Sequence, residues 1–144
     1  MTTEKQNTGK LGEDIAVKYL EKHGYKIIDR NYRKPWGEID IIALENGSVM
    51  FGNVSVISGK NKLPQQLPQL VFVEVKAQNK LFEWRPEENI TFHKKRQLSR
   101  IIATYLKANK IPEEQDWRID IVAIKLDFKT KNAQIEHIKN VMLN

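Results

Sequence analysis

An α/β architecture with a mixed sheet flanked by helices is what the sequence predicts, and three observations predict it. Apolar residues recur at helical spacing in two separate segments, one from Leu11 and one after Thr91. Short runs rich in Ile and Val lie between and after them and read as strands. The order helix, three or more strands, helix, strands matches helices packed on a sheet, not a bundle or a sandwich. A length of 144 residues suits one domain spanning 1–144, enough to bury about two thirds of the surface the unfolded chain exposes.

The first helix places Leu11, Ile15, Ala16, Tyr19 and Leu20 at helical spacing over about four turns, and Gly24 stops it. Residues 25–31, with β-branched Ile27 and Ile28, read as a strand, ended by the Lys34-Pro35-Trp36-Gly37 turn. GEIDIIAL at 37–44 is apolar on both faces, which predicts a central strand covered on two sides. After the Glu45-Asn46-Gly47 turn, 46–69 reads as a hairpin excursion: 48–57 alternate like a strand, and 58–69 are rich in Gly, Asn, Pro and Gln. LVFVEVK at 70–76 is the next strand. A loop with Trp84 and Pro86 leads to a helix N-capped by Thr91, with Leu98, Ile101, Ile102, Tyr105 and Leu106 on one face and Pro112 past its end. WRIDIVAIKL at 117–126 and a short run at 135–138 complete the strands.

Composition removes several function classes. With no cysteine, a disulfide framework, a Cys-ligated zinc and a thiol nucleophile are excluded, so any metal sits on oxygen or histidine. The opening MTTEKQNTGK lacks the apolar centre of a signal peptide, and no stretch approaches the ~20 apolar residues of a membrane span. The expectation is a cytoplasmic protein with no membrane partner. Lys and Arg number 24 against 18 Asp and Glu, a net charge of +6. Between Asn89 and Pro112 there is no acid, while Lys94, Lys95, Arg96, Arg100, Lys107 and Lys110 supply the bases. Such a field suits a polyanion, nucleic acid or an anionic membrane face, and on charge alone equally well a solvated helix flank.

Asp inside an apolar strand is anomalous, because its charge loses hydration there. Asp40 lies between Ile39 and Ile41, and Glu74 repeats the anomaly in LVFVEVK. The period of two puts Glu74 and Lys76 on one side with Leu70 and Phe72. If the two strands are neighbours, two carboxylates and one ammonium converge. Two buried carboxylates repel and need a counter-charge, of which Lys76 supplies part. A hard divalent cation on oxygen ligands, Mg²⁺ or Mn²⁺, would supply the rest and would neutralise charge on a phosphoryl oxygen, pointing to phosphodiester hydrolysis. The plain alternative is an edge-strand ion pair with Asp40 at a frayed end. The in-strand Asp upstream and the basic helix downstream favour a site. Asp120 with Arg118 reads as a structural ion pair, His23 as a helix C-terminal cation and His93 as a helix-start polar residue, and His137 shows no ligand partner. Trp36, Trp84 and Trp117 read as core or rim residues, with base stacking as the alternative.

These residues also carry a resemblance. Asp in the second strand and E-x-K in the third, within the order α-β-β-β-α-β, resemble the restriction-endonuclease-like core of the PD-(D/E)xK nucleases. More narrowly, the chain resembles the YraN family of bacterial endonuclease-like proteins, similar in layout to Holliday junction resolvases. The matching segments are LGEDIA (11–16), YL (19–20), GY (24–25), RNYR (30–33), GEIDIIA (37–43), VFVEVK (71–76), Lys94, Ala103, YL (105–106) and RIDIVA (118–123). The resemblance implies Asp40 and Glu74 as metal ligands, Lys76 as the catalytic lysine, and Glu13 as the first-helix acid joining the site. Glu13 has an ordinary alternative role at the favourable end of the helix dipole. Two departures stand out. Asp40 and Glu74 lie thirty-four residues apart, longer than the family's usual tight hairpin, so 46–69 reads as an insertion. Gln97 is followed four places on by Ile101, where some relatives have a Gln and Tyr pair, so it carries little weight.

The expected function is thus a Mg²⁺- or Mn²⁺-dependent endonuclease on DNA, structured or branched, with Lys94, Lys95, Arg96 and Arg100 on the phosphates and a homodimer left open. The alternatives are a nucleic-acid-binding module without turnover, and a protein-interaction domain whose basic helix docks an acidic partner.

Overall fold

The computed structural model describes residues 3–45, 68–79 and 91–143. The described elements run α1 (Glu4–Lys22), β1 (Lys26–Lys34), β2 (Gly37–Leu44), β3 (Leu70–Asn79), α2 (Phe92–Ala108), β4 (Trp117–Asp127) and β5 (Asn132–Ile138). The strands form one open sheet in the order β1-β2-β3-β4-β5. Only β3 and β4 are parallel, and α2 lies in the crossover between them, as a parallel pair requires. This is a mixed α/β fold consistent with the restriction-endonuclease-like core.

Each helix covers one face. Ala16 and Leu20 of α1 pack on Ile41, Ala43, Val71, Val73 and Val122, whereas Ile101, Ile102 and Tyr105 of α2 pack on Ile42, Leu44, Leu70 and Phe72. Consecutive β2 and β3 residues therefore feed opposite cores, which is why both strands are apolar throughout. Gly12 lets α1 approach β3: a Cβ there would stand 2.4 Å from the Ala77 Cβ. No helix among the described residues is long and apolar enough to cross a membrane.

Four expectations on element bounds are corrected. The strand expected at 70–76 runs on to Asn79, and the one expected at 135–138 begins at Asn132, because both stay paired with β4 over those residues. α1 starts at Glu4, well before Leu11, because Thr3 caps it through a capping box with Gln6 (Gln6 N donates to Thr3 Oγ1 at 3.2 Å). Those first turns are polar and carry no apolar period, and Leu11 itself is exposed. β1 also runs to Lys34, past Asn31, because its whole second half pairs with β2. The hairpin expected at 46–69 falls, over 46–67, outside the described residues, as do Trp84 and Pro86. The flanks of that segment meet: Glu45 N donates to Gln69 O at 3.0 Å.

The β2–β3 pairing positions the site. It spans Leu44↔Leu70 to Ile41↔Val73 and stops there, although β3 stays paired with β4 as far as Asn79↔Leu126. The Val75 amide, left without a β2 carbonyl, donates instead to Asp40 Oδ2 at 2.8 Å. A carboxylate thus occupies the fork where two apolar strands part.

Candidate functional site

Asp40 and Glu74 are both buried, at 9% and 4% exposure. Glu74 Oε1 accepts Lys94 Nζ at 3.0 Å and lies 3.6 Å from Lys76 Nζ. Its other oxygen, Oε2, is buried without a hydrogen-bond partner among the described residues. A native structure leaves few buried polar atoms in that condition, and a metal or water outside the protein atoms is one way to satisfy it. Thr91 Oγ1 accepts the Lys94 amide at 3.1 Å, so the α2 cap fixes the turn from which Lys94 reaches Glu74.

Burial, and then the negative charge of Glu74, push the Asp40 carboxyl up to about 8, against the pull of the Val75 amide. Glu13 and Glu38 add to the rise. Lys94 responds in the opposite sense: burial would lower its pKa, but the Glu74 carboxylate outweighs this and holds it above the usual ammonium range. The site has one carboxylate with two ammonium neighbours, and a second whose charge is opposed by its surroundings.

The structure brings Asp40, Glu74 and Lys76 together as the sequence suggested and adds Lys94 to them. Glu13 flanks this group: its side chain is 19% exposed, 4.0 Å from Arg30 Nη2, and close enough for its charge to act on Asp40. The Asn31 amide nitrogen, in the orientation its surroundings require, donates to both Glu13 oxygens at 3.2 Å. Among the described residues no three carboxylate or histidine side chains gather closely enough to enclose a cation. A cation held by Asp40 and Glu74 would complete its shell with water or substrate oxygen, as Mg²⁺ commonly does.

The basic helix divides by direction. Lys94 turns inward to Glu74, while Arg96 and Arg100 are exposed and stacked, Arg96 5.8 Å from the Phe92 ring and Arg100 5.1 Å from that of Trp36. Lys95 is half-buried. The inward turn of Lys94 has a sequence signal: it stands four residues before Leu98, on the stripe that continues to Ile101 and Tyr105, so a lysine heads an apolar face.

A second cluster lies on the α1 face. Asp120, fully buried, accepts Arg118 Nε at 2.9 Å, His137 Nε2 at 2.8 Å and the Asn140 amide at 3.0 Å. Arg118 also donates to Tyr25 Oη at 2.9 Å, to Gln69 Oε1 at 2.7 Å and to Glu45. The Arg118–Asp120 ion pair is the structural one expected. His137, for which the sequence showed no partner, gains one in Asp120 because β4 and β5 align Val122 with His137 across the hairpin. Burial alone would raise the Asp120 pKa, but the bonds from His137, Arg118 and Asn140 hold it below the usual carboxylate range.

A family model described as uncharacterised protein family UPF0102 matches residues 12–124, which takes in both carboxylates, Lys76, α2 and Asp120 and ends before β5. A UPF0102 protein of Alkaliphilus oremlandii is 33% identical over 132 residues, covering 92% of this chain and 94% of its own. One from Pelobacter propionicus is 35% identical over 135 residues, covering 94% and 81%. One from Lachnoclostridium phytofermentans is 37% identical over 120 residues, covering 83% and 84%. With matches of that extent, the chain belongs to the UPF0102 family, the YraN family whose residue pattern it carries.

Proposed function

We propose that the protein is a Mg²⁺- or Mn²⁺-dependent endonuclease that hydrolyses phosphodiester bonds of DNA, in a structured or branched form. One observation carries the reading: two buried carboxylates side by side, one with its charge opposed up to about pH 8, the other with an oxygen lacking a partner among the described residues. Bringing two buried carboxylates together costs stability, and perturbed acids of this kind gather at functional sites. The donor set is all oxygen, which suits a hard divalent cation. A cation there would neutralise charge on a phosphoryl oxygen and acidify water.

The residues of the chain take distinct parts. Asp40 and Glu74 hold the cation, and Asp40 gives up its proton to do so. Lys76, two residues beyond Glu74 and 26% exposed at its side chain, offsets charge developing on the phosphoryl group. Lys94 orients Glu74 through its 3.0 Å contact. Glu13, held by Asn31, adds negative field at the edge of the site. Lys95, Arg96 and Arg100 meet substrate phosphates.

The test is incubation of the purified protein with duplex, single-stranded and four-way-junction DNA in Mg²⁺, Mn²⁺ or EDTA. Cleavage that requires the metal and is lost in Glu74→Gln supports the reading, and no cleavage of any substrate in either metal overturns it. The Lys94–Glu74 ion pair favours one other reading, a nucleic-acid-binding module without turnover, because an ammonium already neutralises the carboxylate. Binding that is unchanged by EDTA and never followed by cleavage would select it.

A further inference from the structure

A cleft of about 300 Å³ opens between the β1–β2 turn and the first half of α2, with Arg33, Lys34 and Glu38 on one wall and Lys94 and Gln97 on the other. Lys94, on the cleft wall, is the same residue that contacts Glu74, so the cleft and the paired carboxylates share one side chain. We propose that this cleft is a backbone-binding channel for nucleic acid, in which Arg33 and Lys34 of the turn seat phosphodiester groups beside the reacting one. The proposal deepens the nuclease reading and rests on its premise that the chain engages nucleic acid.

Three features support it. The first is charge: Arg33 and Lys34 face the one carboxylate of the lining, Glu38, which is paired with Arg33 at 3.1 Å on the exposed rim, while Lys94 on the far wall is engaged by Glu74. Lys34 has no carboxylate within ion-pair reach among the described residues, and its Nζ stands 5.4 Å from the Tyr32 ring centre. The second is rigidity. The backbone at Gly37 sits so close to α2 that a Cβ would stand 3.3 Å from Gln97 O. The Trp36 indole donates to Thr104 Oγ1 at 3.1 Å, and Arg100 stacks on the same ring. The turn is therefore fastened to the helix, and the backbone that carries its two exposed cations is held in place before a ligand arrives, which lowers the ordering cost of binding. The third is shape: the cleft is open and its lining is mostly polar or charged, which suits a solvated strand passing through more than an enclosed small molecule. Backbone contacts of this kind set register and carry no base code.

The experiment measures binding apart from turnover. Fluorescein-labelled duplex and four-way-junction DNA are titrated with the full chain in EDTA, by anisotropy, over a series of salt concentrations. Each lost phosphate contact reduces the slope of log affinity against log salt by about 0.9, so Arg33→Ala with Lys34→Ala should flatten it by up to ~2 units. Lys18→Ala with Lys22→Ala, two exposed lysines of α1 away from the cleft, serves as the control and should leave the slope as in wild type. Both target side chains are exposed, and matching melting curves establish that the variants are folded. A wild-type slope in the Arg33/Lys34 variant, or an equal drop in the control, overturns the channel and leaves the nuclease reading standing. No binding of any DNA by the wild-type chain, in EDTA and in Ca²⁺ alike, overturns both.

Discussion

The two faces of the sheet both bury carboxylates among strand residues that are otherwise apolar, one on the α1 face and two on the other, and they treat them in opposite ways. On the α1 face Asp120 is fully buried, yet two side chains and a backbone amide bond to it and hold its pKa down. On the α2 side, Glu74 keeps an oxygen without a partner, and Asp40, with one amide to accept, has its charge opposed. Burial alone therefore does not distinguish a structural acid from a functional one. The distinguishing quantity is how completely the neighbours satisfy each carboxylate oxygen: both oxygens of Asp120 are bonded, whereas Glu74 Oε2 has no partner among the described residues and the charge of Asp40 is opposed.

The largest effect expected from this contrast is on Asp120. Asp120→Ala strips Arg118 of a buried counter-charge and removes the acceptor that ties β5 to β4 through His137, so it should cost about 3–5 kcal/mol of stability. Urea unfolding followed by circular dichroism measures it, and a cost below about 1 kcal/mol would mean that the network is not structural.

Next in size is catalysis. Lys76→Ala should lower cleavage by about 10²–10³-fold, the usual result of deleting one electrostatic stabiliser, while DNA affinity in Ca²⁺ stays near wild type. Undiminished cleavage by the purified variant would assign the activity elsewhere.

The third test inverts the first. The folded chain keeps the Asp40 proton up to about pH 8, whereas the unfolded chain releases it near 3.8. Between those values the folded state binds more protons, so this group makes stability fall as pH rises, with the loss complete above about 8. Asp40→Asn should flatten that decline in EDTA and stabilise the metal-free protein at pH 8 by roughly 1–3 kcal/mol, the cost of a poorly compensated buried group. Metal that requires the ionised carboxylate should raise the wild-type melting temperature more at pH 8 than at pH 6, and should not raise that of Asp40→Asn. A wild-type melting temperature indifferent to millimolar Mg²⁺ and Mn²⁺ at both pH values would remove the metal from the free protein.

The fold and the two carboxylates of the candidate site are legible because their signals are local. GEIDIIAL carries a strand's composition in its own residues, and an acid within it is anomalous without any tertiary knowledge. The bounds of β2 and the Thr91 cap accordingly match the structure. What escaped depends on register and direction. The bond from the Val75 amide to Asp40 exists because β2 and β3 part after Ile41↔Val73, which no periodicity encodes. The His137–Asp120 contact follows from how the β4–β5 hairpin aligns. The start of α1 was hidden because a capping box of Thr3 and Gln6, not an apolar stripe, defines it.

The smallest expected effect separates two residues that composition places in one basic run. Lys94 and Arg96 are two apart on α2, and a helix turns their side chains to different sides. Lys94 is 28% exposed and spends its charge on Glu74, while Arg96 is exposed over the Phe92 ring. If the inward lysine serves the carboxylates and the outward arginine serves phosphates, the two must fail in different assays. Arg96→Ala should flatten the salt dependence of duplex binding by about 0.9 and leave turnover at saturating DNA nearly intact. Lys94→Ala should leave that slope close to wild type but lower turnover and remove one of the two cations beside Glu74. Anisotropy across a salt series, paired with single-turnover cleavage in Mg²⁺, reads both quantities on the same preparations. Equal slopes and equal turnover in the two variants would mean that α2 acts as an undifferentiated basic surface, and the division between its inner and outer cations would be lost.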